Sequence, residues 1–240
     1  ARLGVEVICD FKVVKLSLQS SGQGFIALSS TGRQVMGDTV IAATGGGASL
    51  LADLGHQAVK CEPVLLPIRT KTEPIRGLSG VRVRCCASIL AESFSQDGTK
   101  DLMPVATERG EILFRDYGVS GIMVFDLSRY LYQGHILSID FLPDDTLEEL
   151  TQVLEVRRDS FPSRTAETFL TGMFHTRVAA ALLRAARVSP KTPVPEIPCD
   201  TLAQVIKNFK LAITGPGDPK QAQVTRGGIS TDEFSPKTLE

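Results

Sequence analysis

Apolar and polar residues alternate through residues 4–43 with the period of two that a half-buried strand requires. Val5, Val7 and Cys9 share one face, Val13-Val14-Lys15-Leu16-Ser17-Leu18 makes a second run, and Phe25-Ile26-Ala27-Leu28 a third. The stretch Ser20-Ser21-Gly22-Gln23-Gly24 and the pair Thr31-Gly32 are turns between them, the second leading into Gln34-Val35-Met36. Asp38-Thr39-Val40-Ile41-Ala42-Ala43 is then expected as a buried strand that runs straight into Thr44-Gly45-Gly46-Gly47.

From Leu50 to Leu142 the pattern stays mostly β. The segment from Val59 to Ile68 carries Pro63 and Pro67, which lack a backbone N–H and suit edge or barrel strands better than central ones. Val81-Arg82-Val83-Arg84-Cys85 alternates cleanly, and Glu111-Ile112-Leu113-Phe114 reads as a short strand. Ser120-Gly121 marks the entry to a helix over 122–131, with Ile122, Phe125 and Arg129 along one side. The segment from His135 to Leu142 returns to alternation, placing Leu137, Ile139 and Phe141 on one face.

At Asp144 the period changes. Asp145-Thr146-Leu147-Glu148 reads as a capping box with Glu148 reaching back to a free N–H, followed by Leu147, Leu150, Leu154 and Phe161 at helical spacing. A second helix is expected over 165–173 and a third over 175–187, the latter with Val178, Leu182 and Ala185 facing inward. Pro190, Pro193, Pro195 and Pro198 stiffen a connector, and Thr201-Leu202-Ala203-Gln204 reads as a further capping box opening a short helix. The strand Phe209-Lys210-Leu211-Ala212-Ile213-Thr214 comes last, so a helical cluster is inserted into a β-rich body whose closing strand follows it. The fold class expected is α+β.

Composition narrows the function classes. The chain has 240 residues, 26 Lys+Arg against 27 Asp+Glu and a net charge of −1, with 42% hydrophobic and 22% charged residues. That near-neutral balance argues against a nucleic-acid grip, which needs clustered Lys and Arg, and no apolar run approaches the roughly 18–20 residues of a membrane span, so neither a nucleic-acid nor a membrane partner is expected. Five scattered cysteines, an odd number, fit reduced thiols in a cytoplasmic protein better than a disulfide framework. Cys85 and Cys86 are adjacent, so on a strand they point to opposite faces, and His56, His135 and His175 show no metal-binding spacing; no metal is expected. The chain opens on Ala1-Arg2-Leu3 without an initiator Met and reads as an excised segment.

Two glycine clusters are the places where chemistry is expected. Thr44-Gly45-Gly46-Gly47 would let a ligand approach the backbone at the carboxyl end of a strand, although a glycine turn after any buried strand has the same sequence. Val224-Thr225-Arg226-Gly227-Gly228-Ile229 would offer an anion-holding nest beside Arg226, or simply a tight surface turn with a solvated Arg. Between them, in the run 110–121, Glu111, Arg115, Asp116 and Tyr117 offer a pocket lining, with Ser120 as cap of a helix whose N-terminus receives an anion; the simpler reading is a strand, a turn and a cap without ligand. No GxSxG elbow, P-loop or Ser-His-Asp pattern is present, which leaves hydrolase and phosphoryl-transfer readings without support.

Four stretches in this order resemble the BaiN-like, aminoacetone-oxidase-like family of bacterial FAD-binding flavoproteins: ATGG at 43–46, GEILFRDYGVSG at 110–121, KNFKLAITG at 207–215 and QAQVTRGGISTDEFSPKTLE at 221–240. The resemblance implies a doubly wound FAD-binding domain interrupted by a long insert with a β-barrel-like part and a helical part. On that pattern residues 1–49 and 221–240 are remnants of the FAD-binding domain, 50–142 and 209–220 the β-rich insert, and 143–208 its helical subdomain. Thr44, Gly45, Gly46, Gly227 and Gly228 are then the cofactor-binding residues, and Tyr117 and Ser120 candidates for a substrate pocket. FAD is the implied cofactor, NAD(P)H the implied electron donor and a small molecule the implied substrate. The GxGxxG unit, a glycine-rich loop after Gly46 and the closing Gly-rich strand of the family are not found, so this chain is expected to hold FAD poorly and not to be catalytic alone. The alternative is a non-catalytic insert that covers a substrate or binds a partner.

Overall fold

A computed structural model describes residues 4–20, 22–45, 49–94, 100–132, 134–235 and 237–238, in two compact units, one of residues 1–62 with 225–240 and one of residues 63–224. In the first unit β1 (Val13–Leu18), β2 (Phe25–Ser29) and β3 (Gln34–Gly37) form an antiparallel meander in that order. The register of β1 against β2 slips between Val13 and Lys15. A short helix α1 (Ser49–Ala52) follows, and β4 (Ala58–Val64) pairs with β11 (Val224–Ile229) as a two-stranded sheet.

Two expected strands are absent here. Val5, Val7 and Cys9 lie in irregular, exposed chain, and Asp38-Thr39-Val40-Ile41-Ala42-Ala43 is likewise irregular, with Ile41 90% exposed. An apolar run becomes a buried strand only beside another strand, and none pairs with either segment among the described residues.

The second unit is built on a closed antiparallel barrel. Its strands are β5 (Ile68–Thr70), β6 (Arg82–Phe94), β7 (Lys100–Arg115), β8 (Gly118–Ser120), β9 (Ile136–Asp140) and β10 (Phe209–Pro216), in the order β10-β5-β8-β7-β6-β9. β10 closes the ring by pairing with both β5 and β9. Alternate residues point inward: Cys85, Ala87 and Ile89 from β6, Ile112 and Phe114 from β7, Leu137 and Ile139 from β9, Phe209 and Leu211 from β10. The short strand expected at Glu111 is the end of the 16-residue β7. Gly118 sits at φ 149, and a Cβ there would lie 2.2 Å from the Ile68 carbonyl oxygen, so only glycine lets β8 reach β5.

Helices finish the unit. α2 (Ile122–Leu127) buries Met123, Val124 and Leu127 and runs into a 3-10 turn over Ser128–Tyr130. Between β9 and β10 come α3 (Leu147–Ser160), α4 (Ala166–Phe169), α5 (Thr176–Ala185) and α6 (Cys199–Lys207). Leu150 and Leu154 of α3, Val178 and Leu182 of α5, and Leu202 and Ile206 of α6 join the barrel side chains in one hydrophobic core. Among the described residues no helix is long and apolar enough to cross a membrane.

Several helix ends differ from the sequence expectation. The capping box of α3 uses Thr146 and Glu149, since N3 counts from the cap and not from Asp145. The expected second helix shrinks to the four residues of α4, because Gly172 takes a positive φ and the chain turns there. Ala185, the last residue of α5, is exposed, and Ala186 just beyond it is buried. α6 starts at Cys199 behind Pro198, so Thr201 lies inside the helix and caps nothing.

Candidate functional site

The glycines expected to hold a cofactor lie in the first unit. Thr44 and Gly45 occupy exposed, irregular chain, Gly45 at φ 64 with no heavy atom within 4 Å of a Cβ built on it. Gly46 lies outside the described residues. Gly227 and Gly228 are interior to β11 rather than in a turn, because β4 extends alongside them. At Gly227, φ is 108 and a Cβ would fall 2.4 Å from the Lys60 carbonyl oxygen, so the strand pairing itself demands glycine there. A Cβ at Gly228 would meet nothing within 4 Å.

These residues do not assemble a phosphate cradle. Arg226, the cation expected beside the glycines, gives Nη2 to Glu62 Oε2 at 3.0 Å and is neutralised there. Glu233 accepts from the Gln57 N–H at 2.9 Å and contacts His56 Nδ1 at 3.0 Å. The helix present, α1, is four residues long and supplies too small a dipole to balance a pyrophosphate. Thr44, Gly45, Gly227 and Gly228 as arranged therefore do not fit FAD by themselves.

In the second unit Tyr117 precedes β8 and Ser120 is its last residue. Tyr117 is half-buried, with the Arg115 guanidinium 5.9 Å from its ring centroid, and its carbonyl accepts from the Thr70 N–H. Ser120 pairs with Leu113 across β7 and β8. The cap of α2 is Gly121 with no side-chain hydrogen bond, because Ser120 is still strand. Neither residue lines any of the four cavities of this unit described below.

A cavity of about 450 Å³ opens where β6, β7 and the end of β9 meet. Cys85, Phe141, Leu142 and Pro143 supply its apolar lining, and Arg84, Arg109, Glu111, Asp144 and Asp145 its charged lining. Most of that charge is cancelled: Arg109 Nη2 lies 2.6 Å from both Asp144 carboxylate oxygens, and Arg82 Nη1 lies 2.6 Å from Glu111 Oε1. Burial, with help from Cys86 and Asp140, pushes the Cys85 thiol up to about 12, so it is neither nucleophile nor base. Lys207 of α6 ties the helices to the barrel through Asp140 Oδ2 at 2.7 Å and the Leu142 carbonyl at 2.8 Å. Among the described residues no group of three His, Cys, Asp or Glu is placed to hold a metal ion.

Pattern reading missed the contacts that position α5. Arg177 donates from Nη1 to the carbonyls of Gly77 and Ser79, and Arg184 from Nη2 to those of Pro74 and Arg76. Their one visible signal was the spacing of two arginines seven residues, or two turns, apart.

Comparison with known proteins bears on the whole chain. A family profile described as "HI0933-like protein barrel and H2TH domain" matches residues 62–224. The 3-dehydro-bile acid delta(4,6)-reductase of Clostridium scindens is 29% identical over 260 residues, covering 100% of this chain and 60% of that protein. The ribosomal RNA dihydrouridine synthase of Escherichia coli is 24% identical over 242 residues, covering 94% of this chain and 56% of its own length. The Haemophilus influenzae protein of the same name is 24% identical over 132 residues, covering 54% of this chain and 32% of its own. The chain thus spans at most 60% of the length of these relatives. With the closed barrel and its helices at the matched residues, the chain belongs to the HI0933-like, BaiN-like flavoprotein family.

Proposed function

We propose that this chain is the central part of an FAD-dependent oxidoreductase, fed by NAD(P)H, that reduces a small molecule in a bacterial cytoplasm. The observation that carries this reading is the match of the entire chain to a reductase, within a family whose barrel-and-helix domain the second unit reproduces. Residues 1–49 and 221–240 are read as parts of a doubly wound FAD-binding domain. In this reading hydride transfer belongs to the flavin, which explains why the chain needs no protein nucleophile. The cavity over Cys85 and Phe141 is the place where the second unit offers a substrate an apolar bed.

In this reading the chain is not catalytic alone, which is supported by the pairing of Arg226 with Glu62 beside Gly227 and Gly228. A second reading, a substrate-covering or partner-binding module, draws on the second unit's self-contained core. The deciding experiment is the visible absorption spectrum of the purified chain, and of a longer protein that contains it, before and after FAD addition and desalting. The expected outcome is a flavin band retained by the longer protein and absent from the chain, with NAD(P)H oxidation following the band. A longer protein that never retains flavin would overturn the oxidoreductase reading in favour of the module.

A further inference from the structure

Ion pairing leaves the cavity over Cys85 and Phe141 with one unneutralised charge of each sign among the described residues. Arg84 of β6 stands directly opposite Glu111 of β7, but the Glu111 carboxylate goes to Arg82, 2.6 Å away. The next pair on the same face sets Cys86 opposite Arg109, which turns to Asp144, also at 2.6 Å. The Arg84 guanidinium and the Asp145 carboxylate remain, both exposed, both lining the cavity and neither in an ion pair.

Asp145 is anchored by bonds that spare its side chain. Its N–H donates to the Leu142 carbonyl at 3.2 Å, and its own carbonyl accepts from Lys207 Nζ. The apolar lining is ordered as well. Phe141 is 4% exposed and packs against the rings of Phe114, Phe174 and Phe209, with centroids 6.4, 6.3 and 5.6 Å away, and Leu142 and Pro143 beside it are half-buried. A site fixed in this way spends little ordering entropy on a ligand. The other three cavities of the unit are made differently. That of about 400 Å³ has Ile75 as its one large apolar lining residue, and those of about 460 and 540 Å³ each set two cations against one carboxylate.

A guanidinium takes a carboxylate through two parallel N–H donors, and a carboxylate takes an ammonium through charge-assisted hydrogen bonds. Apolar surface beside both charges adds a place for a hydrophobic group, the usual make-up of a small-molecule site. We propose that this cavity of about 450 Å³ binds a small zwitterion with an apolar side chain, an α-amino acid or a short peptide, its carboxylate on Arg84 and its ammonium on Asp145. The proposal deepens the reading of the cavity as a substrate bed, and rests on that reading only for the ligand's being a substrate. The binding itself needs no flavin, so its failure and the failure of the oxidoreductase reading are seen in separate measurements.

Isothermal titration calorimetry with the whole chain tests this at about 50 mM salt, where ionic contacts are little screened. The probes are L-phenylalanine, glycyl-L-phenylalanine, 3-phenylpropionate, which lacks the ammonium, and 2-phenylethylamine, which lacks the carboxylate. At least one zwitterion should bind, and each single-charge analogue at least about tenfold more weakly. Preference for the amino acid or for the dipeptide identifies the source of the zwitterion, and either supports the proposal. Arg84→Gln should bring the preferred zwitterion down to the affinity of the amine, and Asp145→Asn down to that of the propionate. The analogue comparison uses the unaltered chain, so a variant that melts early by circular dichroism does not remove the test. No binding of either zwitterion at about 10 mM, analogues that bind as well as the zwitterions, or unchanged binding by the folded variants would each overturn the proposal.

Discussion

Cys85 and Cys86 show how much one pair of neighbours inherits from strand geometry. Successive side chains on β6 face opposite ways, so Cys85 is 2% exposed inside the barrel while Cys86 stays half-buried outside it. Desolvation raises both thiols, and for Cys85 it moves the value from 9.0 to about 12. Between those values the folded protein holds a proton that the unfolded chain has released, so stability is fully present below pH 9 and drains away as pH climbs towards 12. Native-state alkylation at pH 8 should therefore label the exposed Cys9 and spare Cys85, with Cys85 labelled only after urea unfolding. Labelling of Cys85 at the rate of Cys9 would contradict its burial. The alternation that predicts this pair was legible in the sequence. The roles of Tyr117 and Gly227 were not, because each depends on which strand lies across from it.

Among the elements, α3 carries its own start signal. Thr146 Oγ1 accepts from the Glu149 N–H at 3.2 Å, and Glu149 Oε2 accepts from the Thr146 N–H at 2.8 Å. Those bonds from Thr146 hold the Glu149 carboxyl below its ordinary value. The stabilisation this brings is present above the ordinary carboxylate pKa and is lost as pH falls through the lowered one. Thr146→Ala should cost about 1 kcal/mol in urea denaturation at pH 7, and the cost should shrink as the pH is taken below 4. A cost that does not change with pH would mean that Glu149 plays no part in the cap. A helical cluster set into a β-rich body could be read from the change of hydrophobic period, the barrel being what the family resemblance implied, whereas helix ends slipped, by as much as four residues at the end of α4, because capping depends on single hydrogen bonds and turns. The run from Asp38 to Ala43 was misread for a different reason: apolar content gives a strand something to bury but cannot supply the neighbour that buries it.

At the scale of the whole molecule, packing is distributed very unevenly. Every buried hydrophobic side chain among the described residues except Leu16 belongs to the unit of residues 63–224, where one core joins the inner faces of the barrel to α2 and the four helices between β9 and β10. The first unit offers a three-stranded meander, a two-stranded sheet and exposed Val5, Val7, Met36 and Ile41. Sheets of so few strands with so little apolar burial add little to cooperative stability. Charge is uneven as well, and a net value of −1 averages an acidic segment at 140–155 against basic ones at 69–84 and 164–191, which is why the overall balance says nothing about local surfaces. Residues 63–224 produced alone should accordingly unfold in one sharp transition in urea, with a midpoint within about 0.5 M of the whole chain's, since the core supplies most of the stability and the surface its unfolding exposes sets the slope. Coincident circular dichroism and hydrogen-exchange transitions are the check. A broad or probe-dependent transition would show that the meander and the β4–β11 pair complete this core, and that the barrel-and-helix body folds only with the rest of the chain.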